Sequence, residues 1–152
     1  MRKAIIMRGL PGSGKSTYIL RHYPGAIVCS ADDYFVRWDL TAWDSYGGWV
    51  YRYNRLRLAD AHGWCGEYFR IQIERGAELV VVDNTNLYKV LTAGFVNYAA
   101  ARGYEVEIVR LMAEVNDCHS IHGVPAEQIG FMSMNFQDYP AERIVKREEV
   151  SG

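Results

Sequence analysis

Gly9-Leu10-Pro11-Gly12-Ser13-Gly14-Lys15-Ser16-Thr17 fits the pattern G-x-x-x-x-G-K-[ST], with Gly9, Gly14, Lys15 and Ser16 at the fixed places. The flanks agree with it. Lys3-Ala4-Ile5-Ile6-Met7-Arg8 is a short apolar run that reads as a buried strand, and Thr17-Tyr18-Ile19-Leu20-Arg21 opens a helix. A strand, a glycine turn and a helix start are the context the pattern requires. Glycines let successive backbone N–H groups face one concavity, which suits phosphate oxygens. The helix N-terminus adds partial positive charge there. Gly12, Ser13, Gly14, Lys15, Ser16 and Thr17 are therefore expected around nucleotide phosphates. Lys15 would reach the β and γ phosphates, and the Ser16 hydroxyl would help hold Mg²⁺. ATP is the expected nucleotide; GTP stays open, because no base-reading motif is visible.

The composition bounds the rest. A chain of 152 residues suggests one domain, here 1–152, and 49% hydrophobic residues suffice for a core. The formal net charge of −1 argues against a general nucleic-acid coat but leaves room for a local basic groove. Cys29, Cys65 and Cys118 form no CxxC pair, and an odd count without a secretory segment points to a reducing cytoplasm. No apolar run approaches a membrane span, so no membrane is expected, nor does any segment call for an obligate protein partner.

Four strand candidates alternate with helical segments: 3–8, 26–29, 78–82 ending at Asp83, and 104–111. Alternation of this kind implies right-handed crossovers and a parallel sheet of four to five strands between helical layers. Leu58, Ala61, Cys65, Phe69 and Ile73 recur at three- and four-residue steps, the signature of a helix with one buried face, which Gly76 would end. Leu87, Leu91, Gly94, Phe95 and Tyr98 mark another, closed by Gly103. Two shorter helical pieces follow around Gly123-Val124-Pro125, and 113–125 reads as a small lid. Ligands of such sheets sit at the carboxyl ends of the strands. Ser30-Ala31-Asp32-Asp33 and Asp83-Asn84-Thr85-Asn86 both fall there.

Asp83 closes an apolar strand, the place of a Mg²⁺-facing acid in phosphate-loop proteins. Asn84, Thr85 and Asn86 extend a polar cluster; Asn86 or Thr85 could equally cap the helix near Leu87. Of Asp32 and Asp33, adjacent and pointing apart, at most one faces the site, where a positioned Asp would take a proton from an acceptor hydroxyl. Ser30 or Asp32 capping a helix at Tyr34 is the structural alternative. Cys118, His119 and His122 lack a second ligand locus, so zinc is not expected. The stretch from Tyr34 to Tyr53 is dense in aromatic residues with Arg37, Arg52, Arg55 and Arg57 in or after it; most of these rings would pack, and one or two could stack on an acceptor base.

The phosphate loop, Ser30-Ala31-Asp32-Asp33-Tyr34 and Asp83-Asn84-Thr85-Asn86, in this order, resemble the polynucleotide-kinase-like P-loop kinases and AAA-type ATP-binding proteins, which include phage 5′-hydroxyl polynucleotide kinase. Ala61-His62, Trp64-Cys65 and His122-Gly123-Val124-Pro125 resemble the ATP-binding members most. The resemblance covers about residues 3 to 140. It implies a three-layer P-loop fold, Asp32 as the acceptor base and Asp83 beside metal and phosphates. Two departures stand out. The family's acceptor-phosphate Arg is Phe35 here, with Arg37 a possible substitute. The lid stretch 116–122 has no Arg, leaving His119 or His122, or an arginine from elsewhere (Arg52, Arg55, Arg57, Arg143 or Arg147), to supply a cation. Such an arginine is worth several powers of ten in rate. The sequence is thus read as a cytoplasmic kinase moving the γ-phosphoryl of ATP to a hydroxyl of a nucleic-acid or nucleotide-like acceptor, foremost a polynucleotide 5′-hydroxyl or a hydroxymethylated base. The alternatives are a small-molecule or nucleoside kinase and an ATP-binding regulatory module with weak ATPase activity.

Overall fold

The computed structural model describes residues 1–39, 47–118 and 123–146. Its main sheet has five parallel strands: β1 (Lys3–Gly9), β2 (Ile27–Cys29), β5 (Leu79–Asp83), β6 (Glu105–Met112) and β7 (Arg143–Lys146), in the order β2-β5-β1-β6-β7. A separate antiparallel hairpin is formed by β3 (Val36–Asp39) and β4 (Gly48–Tyr51). The helices are α1 (Lys15–His22), α2 (Leu58–Glu74), α3 (Lys89–Ala101) and α4 (Ala126–Asn135). Among the described residues, no helix is long and apolar enough to cross a membrane.

The apolar strands follow from burial on both faces. Ala4 and Ile6 of β1, with Val80 and Val82 of β5, pack under α2 and α3 against Phe69, Ile73 and Ala99. Ile5 and Met7, with Val81, point the other way and meet Tyr18 and Ile19 of α1 and Val109, Leu111 and Val145. Alternate residues thus enter different cores, so no position in the run can be polar without a partner. The α/β sandwich read from the sequence is present, and β7 is its unforeseen fifth strand. The hairpin was also unforeseen.

Three local expectations need correction. The helix after Asp83 begins at Lys89 rather than near Leu87, and neither Thr85 nor Asn86 caps it; Gln137 Oε1 accepts the Lys89 N–H at 2.7 Å instead. Residues 31–35 form a 3₁₀ turn rather than the start of an α-helix at Tyr34, with Ser30 as its cap. Phe35, at the position of the family's acceptor arginine, is buried core.

A buried polar cluster ties the end of β1 to the C-terminal segment. Arg8, fully buried, donates from Nε to Asn86 O (3.0 Å), from Nη2 to Leu87 O (3.3 Å) and Gln137 O (2.6 Å), and from Nη1 to Glu142 Oε2 (2.5 Å). Arg110 Nη1 binds the other Glu142 oxygen at 3.0 Å and Asp138 at 2.5 Å. Both guanidiniums stand near the Phe136 ring, at 5.0 and 4.4 Å from its centre. Burial pulls the Arg8 guanidinium below its ordinary value, and the Glu142 hydrogen bond opposes that pull.

Candidate functional site

The loop after β1 is shaped by glycine. Gly14, at φ 100°, starts α1 without any side-chain cap, and Gly12 is at φ 78°. Other residues rarely adopt this region. The first bond within α1 runs from Tyr18 N–H to Gly14 O, so the N–H groups of Lys15, Ser16 and Thr17 have no helical carbonyl to bind. Gly9 is required for a different reason: a Cβ there would lie 2.7 Å from Ser13 Oγ and 3.2 Å from Leu111 O. Ser13, expected around the phosphates, is fully buried; its N–H donates to Leu10 O at 3.1 Å, and among the described residues its hydroxyl has no partner.

Lys15 is folded over its own loop, with Nζ 2.8 Å from Gly9 O and 2.9 Å from Leu10 O. Burial pushes its ammonium below the usual lysine value, while Asp83 and Asp32 pull it back up. Ser16 Oγ donates to Asp83 Oδ2 at 3.0 Å. The register aligns Asp83 with Met7, two residues before Gly9, so the acid reaches the helix start from the neighbouring strand. A hydroxyl and a carboxylate oxygen side by side, next to N–H groups that no helical carbonyl takes, are the hard ligands Mg²⁺ takes alongside phosphate and water. Ser16 and Asp83 therefore fit the metal.

On the β2 side, Asp32 sits in the 3₁₀ turn. Its N–H donates to Ser30 Oγ at 3.3 Å, and its Oδ1 accepts from Tyr51 Oη at 3.2 Å. Asn84 joins the strand ends: its Oδ1 accepts from Ala31 N–H at 2.9 Å, and its amide donates to Cys65 Sγ at 3.4 Å.

These groups open into one cleft of about 470 Å³. Its floor is the phosphate loop with Asp83, Asn84 and Thr85. One wall is Asp32, Tyr51, Tyr53, Leu58 and His62; the other is Gly123, Val124, Pro125, Gln128 and Met132. The structure thus brings Lys15, Ser16, Thr17, Asp32, Asp83, Asn84 and Thr85 together. Asp33 is exposed and does not line the cleft. Asn86 is turned away: it is buried, at φ 49°, and its amide donates to Met7 O at 2.7 Å. Arg37 pairs with Val50 in the hairpin. Arg57 is bound to Asp60 and the Tyr34 hydroxyl, and Arg143 to Glu107 and Tyr18. His119, His122, Trp43 and Arg147 lie outside the described residues, and with them the middle of the expected lid.

Sequence reasoning missed Gln128 and Met132, and held Tyr51 and Tyr53 only as members of the aromatic stretch that packs or stacks. The alternation in Gly48-Trp49-Val50-Tyr51 after Gly47 was the available signal for the hairpin that delivers Tyr51. His62 stands at the cleft mouth, where burial lowers its imidazole pKa and Asp32 raises it.

The fold has known counterparts. A gluconokinase from Sinorhizobium meliloti 1021 superposes with TM-score 0.59 at 16% identity, covering 96% of this chain and 84% of that one. The Mycobacterium tuberculosis APS kinase CysC, solved with AMPPNP and APS, gives 0.58 at 14%, covering 99% and 94%. Human NEDD4-binding protein 2 is 26% identical over 163 residues, which take in 96% of this chain but 8% of that protein, so the chain spans under a tenth of that relative. The solved structures share the P-loop kinase-like fold, and nothing among these similarities singles out phage polynucleotide kinase. The AAA domain family matches residues 5–122, and the chain belongs to that family.

Proposed function

We propose that this chain is an ATP-dependent phosphotransferase whose acceptor is the hydroxyl of a nucleotide-like group, including the 5′-hydroxyl end of a polynucleotide. One observation carries the reading: the phosphate loop, the Ser16–Asp83 pair and a tyrosine-held Asp32 line a single cleft. Lys15 leaves the Gly9 and Leu10 carbonyls for the β and γ phosphates, joined by the N–H groups that open α1. Ser16 and Asp83 would hold Mg²⁺, which would neutralise phosphate charge. Asp32 takes the acceptor's proton as the acceptor oxygen bonds to the γ phosphorus. The bond from that phosphorus to the bridging oxygen breaks, and ADP leaves with the electron pair. The proton passes from Asp32 to water. Tyr51, Tyr53 and His62 beside Asp32 offer ring faces to an acceptor base.

A second reading has its own support. Among the described residues lining the cleft, Lys15 is the only lysine or arginine, which suits a small uncharged hydroxyl compound, and the similar structures include a gluconokinase. Labelled ATP separates the two when offered with a 5′-hydroxyl oligonucleotide, a nucleoside, gluconate, or water alone. Label on the oligonucleotide or nucleoside supports the first reading. Label on gluconate alone moves the assignment to the second, and phosphate release with no acceptor product leaves only an ATP-binding module with weak turnover.

A further inference from the structure

We infer that Tyr51 is a positioning residue for Asp32, and that the β3–β4 hairpin exists to deliver it; this rests on Asp32 being the base of the proposed transfer. The Tyr51 phenol is fixed from three sides. Its residue pairs with Val36 in the hairpin register, the next N–H (Arg52) donates to Phe35 O at 2.9 Å, and its ring meets buried Phe35 edge-on at 6.0 Å between centres. From that seat Oη reaches Asp32 Oδ1 at 3.2 Å. The Asp32 backbone is already held by Ser30. The hydrogen bond from the Tyr51 phenol to Oδ1 restrains rotation of that carboxylate.

The phenol suits this work. Burial and the nearby Asp32 raise its pKa well above the ordinary tyrosine value, so it stays a neutral donor. The charged and titratable groups that Asp32 acts on include Lys15 from α1 and His62 and Cys65 from α2, with Asp83 of β5 acting on Lys15 and Cys65.

The test compares wild type, Tyr51→Phe, Asp32→Asn, and a protein with 3-fluorotyrosine at position 51. The first readout is the carbon-13 resonance of the Asp32 carboxyl at neutral pH, without any substrate. The second is phosphate release from ATP, with water standing in for the acceptor. Removing the donor should shift the carboxyl resonance, and the fluorinated phenol, a stronger donor of the same shape, should shift it the opposite way. The rate plateau of Tyr51→Phe should fall roughly tenfold or more with KM for ATP unchanged, as expected for a misaimed base, and the fluorinated protein should keep the rate. Tyr51→Phe keeps the ring on Phe35, and the fluorinated protein keeps both ring and bond, so one folded variant remains in any event. A resonance equal to wild type in Tyr51→Phe, or moving the same way in both variants, overturns the inference. So does a loss shared between rate and KM for ATP, which marks a merely structural tyrosine. Wild-type phosphate release by Asp32→Asn instead sinks the base role of Asp32 itself, while the carboxyl resonance still reports what Tyr51 does to the carboxylate.

Discussion

Replacing Arg8 with Met should be among the most damaging changes outside the cleft. The side chain is fully buried and serves three carbonyls and one carboxylate oxygen on segments 78 to 134 residues away. Two terms compete. Burying the guanidinium is itself unfavourable, as its lowered pKa records, and Met spares that cost. Against this, Gln137 O loses this donor, Asn86 O and Leu87 O keep Thr92 Oγ1 and the Gln137 N–H as donors, and among the described residues Glu142 keeps Arg110. Breaking one side of a buried pair costs about 3–5 kcal/mol, and the donors that the carbonyls keep hold their share to about 1 kcal/mol. The surviving Arg110 contact holds the sum near the middle of the first range, about 4 kcal/mol. At roughly 2–4 °C per kcal/mol for a domain of this size, the melting temperature should drop by about 10 °C. Urea unfolding followed by circular dichroism measures the change. Arg8→Met combined with Glu142→Leu should regain part of the loss, since replacing both charges by apolar groups of similar size is often neutral. A single-variant loss under about 1 kcal/mol, with an unchanged denaturant slope, would refute the view that this cluster fastens the C-terminal segment to β1.

Lys15→Ala should abolish transfer and weaken ATP binding, measured by calorimetry; turnover near wild type would remove the loop from the site. ATP affinity of the wild type should also fall as pH rises through the Lys15 pKa. Since burial sets that pKa below the ordinary lysine value, affinity is full on its acid side and begins to fall below the normal lysine range. Asp32→Asn should keep ATP affinity within a few fold and cut phosphoryl transfer by about two orders of magnitude, with Asp33→Asn nearly silent; the reverse ranking in a labelled-ATP assay would assign the base to Asp33. Asp83→Asn should raise the Mg²⁺ concentration needed for half-maximal rate by about tenfold, and an unchanged Mg²⁺ titration would take Asp83 out of the metal's surroundings.

The parts legible in the sequence were those fixed by local conformation or by burial on two faces. The loop from Gly9 to Thr17 declares itself because positive φ and a missing Cβ are demanded at set positions. Strands β1 and β5 declare themselves because every residue of their runs enters one core or the other. β7 was illegible: it is a four-residue edge strand in which Val145 is buried and Ile144 is half exposed, too short for a period. The hairpin hid because its rings looked like stacking or packing surface, and its strands have four residues each.

Polar pairings over long sequence distances escaped for a different reason. Nothing near Arg8 says that a charge in an apolar strand will be met by Glu142, 134 residues away. Nothing near Lys89 says that its helix will be capped by Gln137. Asn86 shows how such pairings mislead a local reading. Its place after Asp83 suggested a site residue or a helix cap, yet its amide holds Met7 O and its carbonyl holds Arg8, so it serves the strand beneath the loop. The two carboxylates after β2 illustrate the same limit at the site. Charge and spacing leave Asp32 and Asp33 equivalent. What separates them is a phenol nineteen residues on that reaches Asp32, whose neighbour is left exposed. A half-buried donor favours the carboxylate that repays its desolvation with a hydrogen bond, and that selection is a property of the folded hairpin rather than of the acid pair.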